Sequence, residues 1–93
     1  MTEYAVRFSR RMTRDEQRMR RRGKDMSKLE RVITVLQQDA TPPPSLRDHG
    51  LRGSWSKYRE CHIEADWVLV YRKDGQRLIL MLMATGSHTD VFR

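Results

Sequence analysis

One cysteine, three prolines, two phenylalanines and no long apolar run set the first limits on this 93-residue chain. Cys61 has no second cysteine to pair with, which excludes an internal disulfide and implies a reducing compartment. A membrane-spanning helix needs roughly 18–20 consecutive apolar residues, and the first residues carry no leader-like apolar core. A cytoplasmic protein with no membrane partner is expected. P-loop, G-x-G-x-x-G and G-x-S-x-G patterns are missing, as are C-x-x-C and H-x-x-x-H spacings. No cofactor and no metal are therefore expected. The length suits one domain, residues 1–93, with a small core.

What the chain does have is positive charge in one place. Residues 7–24 hold eight Arg and Lys24 against only Asp15 and Glu16, so the whole net charge of +7 resides there. A basic element on a balanced body implies a polyanionic partner, nucleic acid or an acidic protein. Arginine's planar fork suits bidentate phosphate contacts better than lysine does. The plainer alternative is a solvated helix face.

The periodicities divide the chain. Residues 3–8 alternate as a short strand. Ser9 offers an N-cap to a helix over 10–22, and Gly23 sits where a helix end favours positive φ. Ser27-Lys28-Leu29-Glu30 reads as a capping box for a second helix, with Met26, Leu29, Val32, Ile33 and Leu36 on one side, ending near Asp39 before the three prolines. Three strands follow at 55–63, 67–72 and 77–85, the last apolar on both faces and hence central. The predicted class is α+β: β-α-α-β-β-β, a helical hairpin on one face of a small, mostly antiparallel sheet.

Alternation in the strand 55–63 puts Trp55, Lys57, Arg59, Cys61 and Ile63 on one face and Ser56, Tyr58, Glu60 and His62 on the other. Cys61 and Ile63 mark the buried side, so Glu60 and His62 are expected exposed, about 6.5–7 Å apart. Asp66 follows in the next turn, His49 precedes the strand and His88 follows the central strand's glycine break. Histidines with carboxylates, no metal motif and a basic helix fit metal-free RNA cleavage. A base deprotonates the 2′-OH, which attacks the adjacent phosphate, and an acid protonates the departing 5′ oxygen. Arg52, or Arg59 curling round the strand edge, is positioned to stabilise the phosphorane charge. Phe92 either stacks on a nucleobase or docks onto the body.

The run Leu46-Arg47-Asp48-His49-Gly50-Leu51-Arg52-Gly53-Ser54-Trp55 is followed by Tyr58 to Tyr71, including His62-Ile63-Glu64-Ala65-Asp66-Trp67. The chain closes on Gly86-Ser87-His88-Thr89-Asp90-Val91-Phe92. This combination, with Gly23 to Leu29 upstream, resembles the YafQ branch of the RelE/ParE toxin superfamily. The resemblance implies a RelE-like fold and a type II toxin, an mRNA interferase that cuts translated message on the 70S ribosome. A cognate antitoxin from the same operon would neutralise it, and the complex would bind operator DNA. By position, acid–base roles fall on His49, His62, Asp66 and His88, with Glu60 and Phe92 lining the site. Glu60 stands where the family pattern suggests aspartate, and Ser87 replaces a commoner threonine. Arg10, Arg11, Arg14, Arg18 and Arg21 would contact ribosome or antitoxin. Two alternatives remain on the same fold: a non-catalytic module that binds antitoxin and operator, and a gyrase-poisoning toxin of the ParE type.

Overall fold

The structure is a computed structural model that describes residues 3–38 and 40–92. Strand β1 (Ala5–Phe8) leads into helices α1 (Arg10–Arg21) and α2 (Met26–Gln37). A two-residue strand β2 (His49–Gly50) precedes β3 (Arg59–Glu64), β4 (Trp67–Asp74) and β5 (Ile79–Gly86), and a short helix α3 (His88–Phe92) closes the chain. The five strands form one sheet in the order β1-β5-β4-β3-β2, with β1 parallel to β5 and the other pairs antiparallel. The apolar strand therefore lies inside the sheet, as its two-faced hydrophobicity implies.

Local signals account for most boundaries. The Ser9 hydroxyl accepts from the Met12 amide at 2.9 Å and starts α1, and Gly23 takes φ +78° behind it. The second helix is capped by Asp25, whose carboxylate accepts from the Ser27 amide at 3.0 Å. The capping-box reading at Ser27 thus gives way to an acid two residues earlier. The expected end near Asp39 falls outside the described residues, and the helix stops at Gln37.

The strand expected over 55–63 begins only at Arg59. Residues 53–58 instead close successive turns, with Trp55, Ser56 and Tyr58 amides donating to Arg52, Gly53 and Trp55 carbonyls. Turn geometry removes Trp55 from the strand's alternation. Its ring joins Leu51, Tyr58 and Phe92 around Val68, Val70 and Ala84, on the face away from Cys61.

Both helices cover the opposite face. Met12, Met19, Leu29, Val32 and Leu36 meet Trp67, Leu69, Tyr71, Leu80 and Leu82 there. Each fully buried side chain of this kind contributes about 1.5–3 kcal/mol. Asp15 is the buried charged group on this side among the described residues, only 3% exposed. It accepts from the Thr85 amide at 3.1 Å and from Arg18 at 3.0 Å, with Arg11 at 3.4 Å. Asp15→Ala leaves the Thr85 amide without an acceptor and two guanidinium groups without a counter-charge. A loss of about 2–3 kcal/mol in unfolding free energy is expected in urea titrations.

Candidate active site

The sheet face not covered by α1 and α2 carries the chemistry. Glu60 and His62 project from β3 onto it, but neither stands freely exposed. Glu60 is 4% exposed and the His62 side chain 13%. Burial comes from what lies over them. The pairing of β2 with β3 sets His49 opposite Glu60. The α3 turn brings His88 in from the other side.

One carboxylate oxygen, Glu60 Oε1, lies 3.5 Å from His49 Nε2, 3.6 Å from His62 Nε2 and 3.7 Å from His88 Nε2. The three imidazoles form a row with His62 between the others, at centroid distances of 6.2 Å to His49 and 5.5 Å to His88. His49 and His88 remain about half exposed. The hollow is thus open at its rim and closed at its floor.

Second contacts orient each ring. The His49 Nδ1 sits 2.9 Å from the Arg47 carbonyl, a contact that makes Nδ1–H the donor and turns Nε2 toward Glu60. Asp66 Oδ1 receives the His88 backbone N–H at 3.0 Å and faces the His88 Nδ1 at 2.7 Å. Those donors, the backbone one foremost, hold the Asp66 carboxyl below the usual carboxylate range. The His62 Nδ1 is buried with no partner among the described residues. A β-bulge between His62 and Glu64 lies beside the cluster. It leaves His62 on the site face while Glu64 turns to Lys24 and Lys28 at 2.9 Å each, in keeping with the habit of bulges to re-aim side chains at sites.

Helix α1 reaches this face through the C-terminal segment. Arg11 donates to the Asp90 and Val91 carbonyls at 3.0 and 3.2 Å. Arg22 pairs with Asp90 at 2.7 Å, and Arg18 donates to the Thr85 carbonyl at 3.1 Å. Gly86 takes φ +148°, and a Cβ there would sit 2.8 Å from the Asp90 Cβ, so a side chain is excluded. Arg11 and Arg18, grouped by sequence with a contact surface, therefore point inward and hold the His88 segment. Arg10, Arg14 and Arg21 stay exposed. The periodicity had no means of separating these sets, because it lacked the position of α3.

Other sequence candidates are placed as follows. Phe92 packs edge-on to Trp55 at 5.7 Å and lies 6.3 Å from the His88 ring, so it both docks and borders the hollow. Arg52 is exposed before the Gly53–Trp55 turn. Arg59 is not with the histidines: its guanidinium pairs with Asp48 at 2.6 Å. Asp48 also accepts from the Tyr71 hydroxyl. Cys61 is fully buried, and desolvation pushes its thiol up to about 12, which makes it an inert core group. Asp48 and Asp90 stand inside the runs that carry the family resemblance and Asp15 inside the basic segment, but sequence reading gave none of the three a role at the site. Glu60, His62 and His88 place one donor atom each within 4.8 Å of one another, a metal-capable grouping that linear spacing does not reveal.

Residues 4–93 match the family model described as a bacterial toxin of type II toxin–antitoxin systems, YafQ. The chain belongs to this family. The mRNA interferase toxin YafQ of Escherichia coli (strain K12) is 34% identical over 93 residues, covering 99% of both chains. Among solved structures, the toxin chain of the E. coli DinJ–YafQ toxin–antitoxin complex is 34% identical with a TM-score of 0.87, covering 98% of this chain and 99% of that one. A metal-bound toxin from Helicobacter pylori is 30% identical with a TM-score of 0.88, covering 96% and 99%. No helix of the described residues in this toxin is long and apolar enough to cross a membrane.

Proposed function

We propose that this toxin is an mRNA interferase that cuts translated message on the ribosome by acid–base catalysis, and that a cognate antitoxin neutralises it. The observation that carries the reading is the ring of three imidazole Nε2 atoms around one buried carboxylate oxygen, at 3.5, 3.6 and 3.7 Å. Attack by a 2′-OH and departure of a 5′ oxygen take place on opposite sides of phosphorus, so base and acid must flank it. His49 and His88 are the exposed rings at the two ends of the row. Imidazole is the side chain that exists in both protonation states near neutral pH, so one of the pair takes the 2′ proton and the other supplies the 5′ oxygen. Asp66 keeps the His88 ring in one orientation, and Glu60 with His62 forms the floor of the hollow. Phe92 and Trp55 offer an aromatic edge for a neighbouring base. The exposed arginines Arg10, Arg14 and Arg21 suit ribosomal RNA or an acidic antitoxin segment, and the toxin–antitoxin complex would occupy operator DNA. Ribosomes and message place the action in the cytoplasm.

Purified protein added to programmed ribosomes should cut message in phase with codons, and His62→Ala and His88→Ala should relieve growth arrest on expression. Intact message with a DNA-damage response would instead identify a gyrase poison. No cutting and no damage response would identify a module that only binds.

A divalent cation is a second occupant that Glu60, His62 and His88 could hold. The Glu60 oxygen lies 3.6 and 3.7 Å from the His62 and His88 rings, all three donors within 4.8 Å of one another, near the ligand–ligand edges of a tetrahedral site with metal–ligand bonds of about 2.0–2.1 Å, and the similar H. pylori toxin is metal-bound. A bound ion takes up the lone pairs that proton transfer needs. Added Zn2+ should therefore inhibit cleavage, and EDTA should restore it; stimulation by Zn2+ would contradict acid–base use of these rings.

A further inference from the structure

His49 stands at one end of the imidazole row on β2, a strand of two residues. Its pairing with β3 is limited to His49 with Glu60 and Gly50 with Arg59. Even a whole two-stranded hairpin is only marginally stable in water, so so short a pairing needs a further tie. The chain just before it turns sharply: Arg47 takes φ +49°, in the left-handed region that residues other than glycine seldom adopt. The Arg47 carbonyl faces the His49 Nδ1 at 2.9 Å. The orientation of this half-exposed ring therefore depends on what holds residues 47–50 against the sheet.

Asp48 supplies that hold from the reverse side. Its side chain is only 7% exposed. One oxygen, Oδ1, accepts from Arg59 Nε at 2.7 Å and lies 2.6 Å from Arg59 Nη2. The other, Oδ2, accepts from the Tyr71 hydroxyl. Arg59 and Tyr71 are direct partners across β3 and β4, and Gly50 pairs with Arg59 from β2, so Gly50, Arg59 and Tyr71 form one row across three strands. A Cβ on Gly50 would lie 3.5 Å from Arg59 Nη1, so the guanidinium passes β2 in van der Waals contact on its way to Asp48. Tyr71 belongs to the core on the helix-covered face, whereas His49 meets Glu60 on the other face. Burial pushes the Tyr71 hydroxyl up, which keeps it a donor at neutral pH. Hydrogen bonds to an ionised carboxylate are roughly twice as strong as neutral ones.

We propose that Asp48, with Arg59 and Tyr71, is a positioning clamp for His49: it fixes β2 from the helix-covered face so that the imidazole meets the scissile phosphate in one orientation. That a phosphate is what His49 meets rests on the interferase reading; the clamp itself does not. Arg59 then serves the reaction from behind the sheet and not at the phosphorane.

Asp48→Asn keeps the side chain's shape while removing its charge and one acceptor. Single-turnover cleavage on saturating programmed ribosomes should fall about tenfold, less than the roughly hundredfold cost of a full ångström's displacement, because the β2 pairing remains. The ribosome concentration that gives half the maximal rate should not move. Tyr71→Phe removes a single hydrogen bond and should lower the rate by a smaller factor. In a His49→Ala background, Asp48→Asn should cost nothing further, since the group it positions is gone. A second readout needs no cutting. In the parent, the contact with the Arg47 carbonyl keeps the proton of the neutral His49 ring on Nδ1, which nitrogen NMR of the histidine rings detects. Asp48→Asn should move both His49 ring nitrogens toward the values of a free imidazole and leave those of His88 in place. The proposal is overturned if the His49 nitrogens stay where the parent has them, or if Asp48→Asn costs the His49→Ala variant the same factor as the parent. A parent that cuts no message refutes the interferase reading, and the ring spectra still decide the clamp.

Discussion

His88→Ala is expected to lower single-turnover cleavage on programmed ribosomes by about 10²–10⁴-fold while leaving the unfolding midpoint unchanged. The ring is about half exposed, and its neighbours lose little packing when it is removed. What disappears is a proton-transfer group at one end of the row, together with the carboxylate pairing through Asp66 at 2.7 Å. His49→Ala should fall within the same range for the same reason at the other end. The two should not add in the double variant, because acid and base act in one transition state. Equal activity of both single variants and the parent, measured by single-turnover cutting, would remove the imidazoles from the mechanism.

Asp90→Ala is expected to reduce cleavage by about 10²-fold although Asp90 touches no substrate, the usual cost of displacing a catalytic group by about an ångström. Helix α3 spans five residues, far short of the length at which an isolated helix holds itself together. Its position depends on Asp90, which accepts from Arg22 at 2.7 and 3.2 Å and from the Ser87 amide at 2.9 Å. Arg22→Ala should cost less, because Arg11 still donates to the Asp90 and Val91 carbonyls. The Arg22 hydrogen bond holds the Asp90 carboxyl well below the usual carboxylate range, and the Asp66 carboxyl is lowered by His88. Both anchors are therefore complete above the ordinary carboxylate pKa of about 4 and are lost only as acidification passes the lowered values. The Asp90 carboxyl carbon should show no titration of its own from neutrality down to about pH 4 in the parent by NMR; Arg22→Ala should move its titration up toward the ordinary carboxylate range.

Much of this arrangement was legible in the sequence because each local signal had one use. Ser9 before an apolar-poor basic helix, Gly23 behind it, and the switch to alternating residues past Ser54 placed the helices and the three antiparallel strands. The two-faced hydrophobicity read over residues 77–85 marked the inner strand, which runs Ile79–Gly86. Glu60 and His62 were correctly put on the face opposite Cys61, since alternation survives any shift of strand ends. Their burial was not legible: it comes from His49 and His88, which arrive through a two-residue strand and a five-residue helix too short to leave a periodic trace. Trp55 was assigned to the wrong face because turns at 53–58 interrupt the alternation. The arginines showed only as charge. Whether each one meets solvent or a carbonyl depends on α3 and β5, which lie more than 60 residues away along the chain.

The ends left on the cut message test the central claim most directly. If His49 and His88 transfer protons to and from a ribose 2′-OH and a 5′ oxygen, the upstream fragment carries a 2′,3′-cyclic or 3′-phosphate and the downstream fragment a 5′-OH. A single 2′-deoxy substitution at the scissile nucleotide then blocks cutting. A 5′-phosphate downstream, or undiminished cutting of the deoxy-substituted message, would mean that water attacks phosphorus and that the imidazole row does not act as proposed.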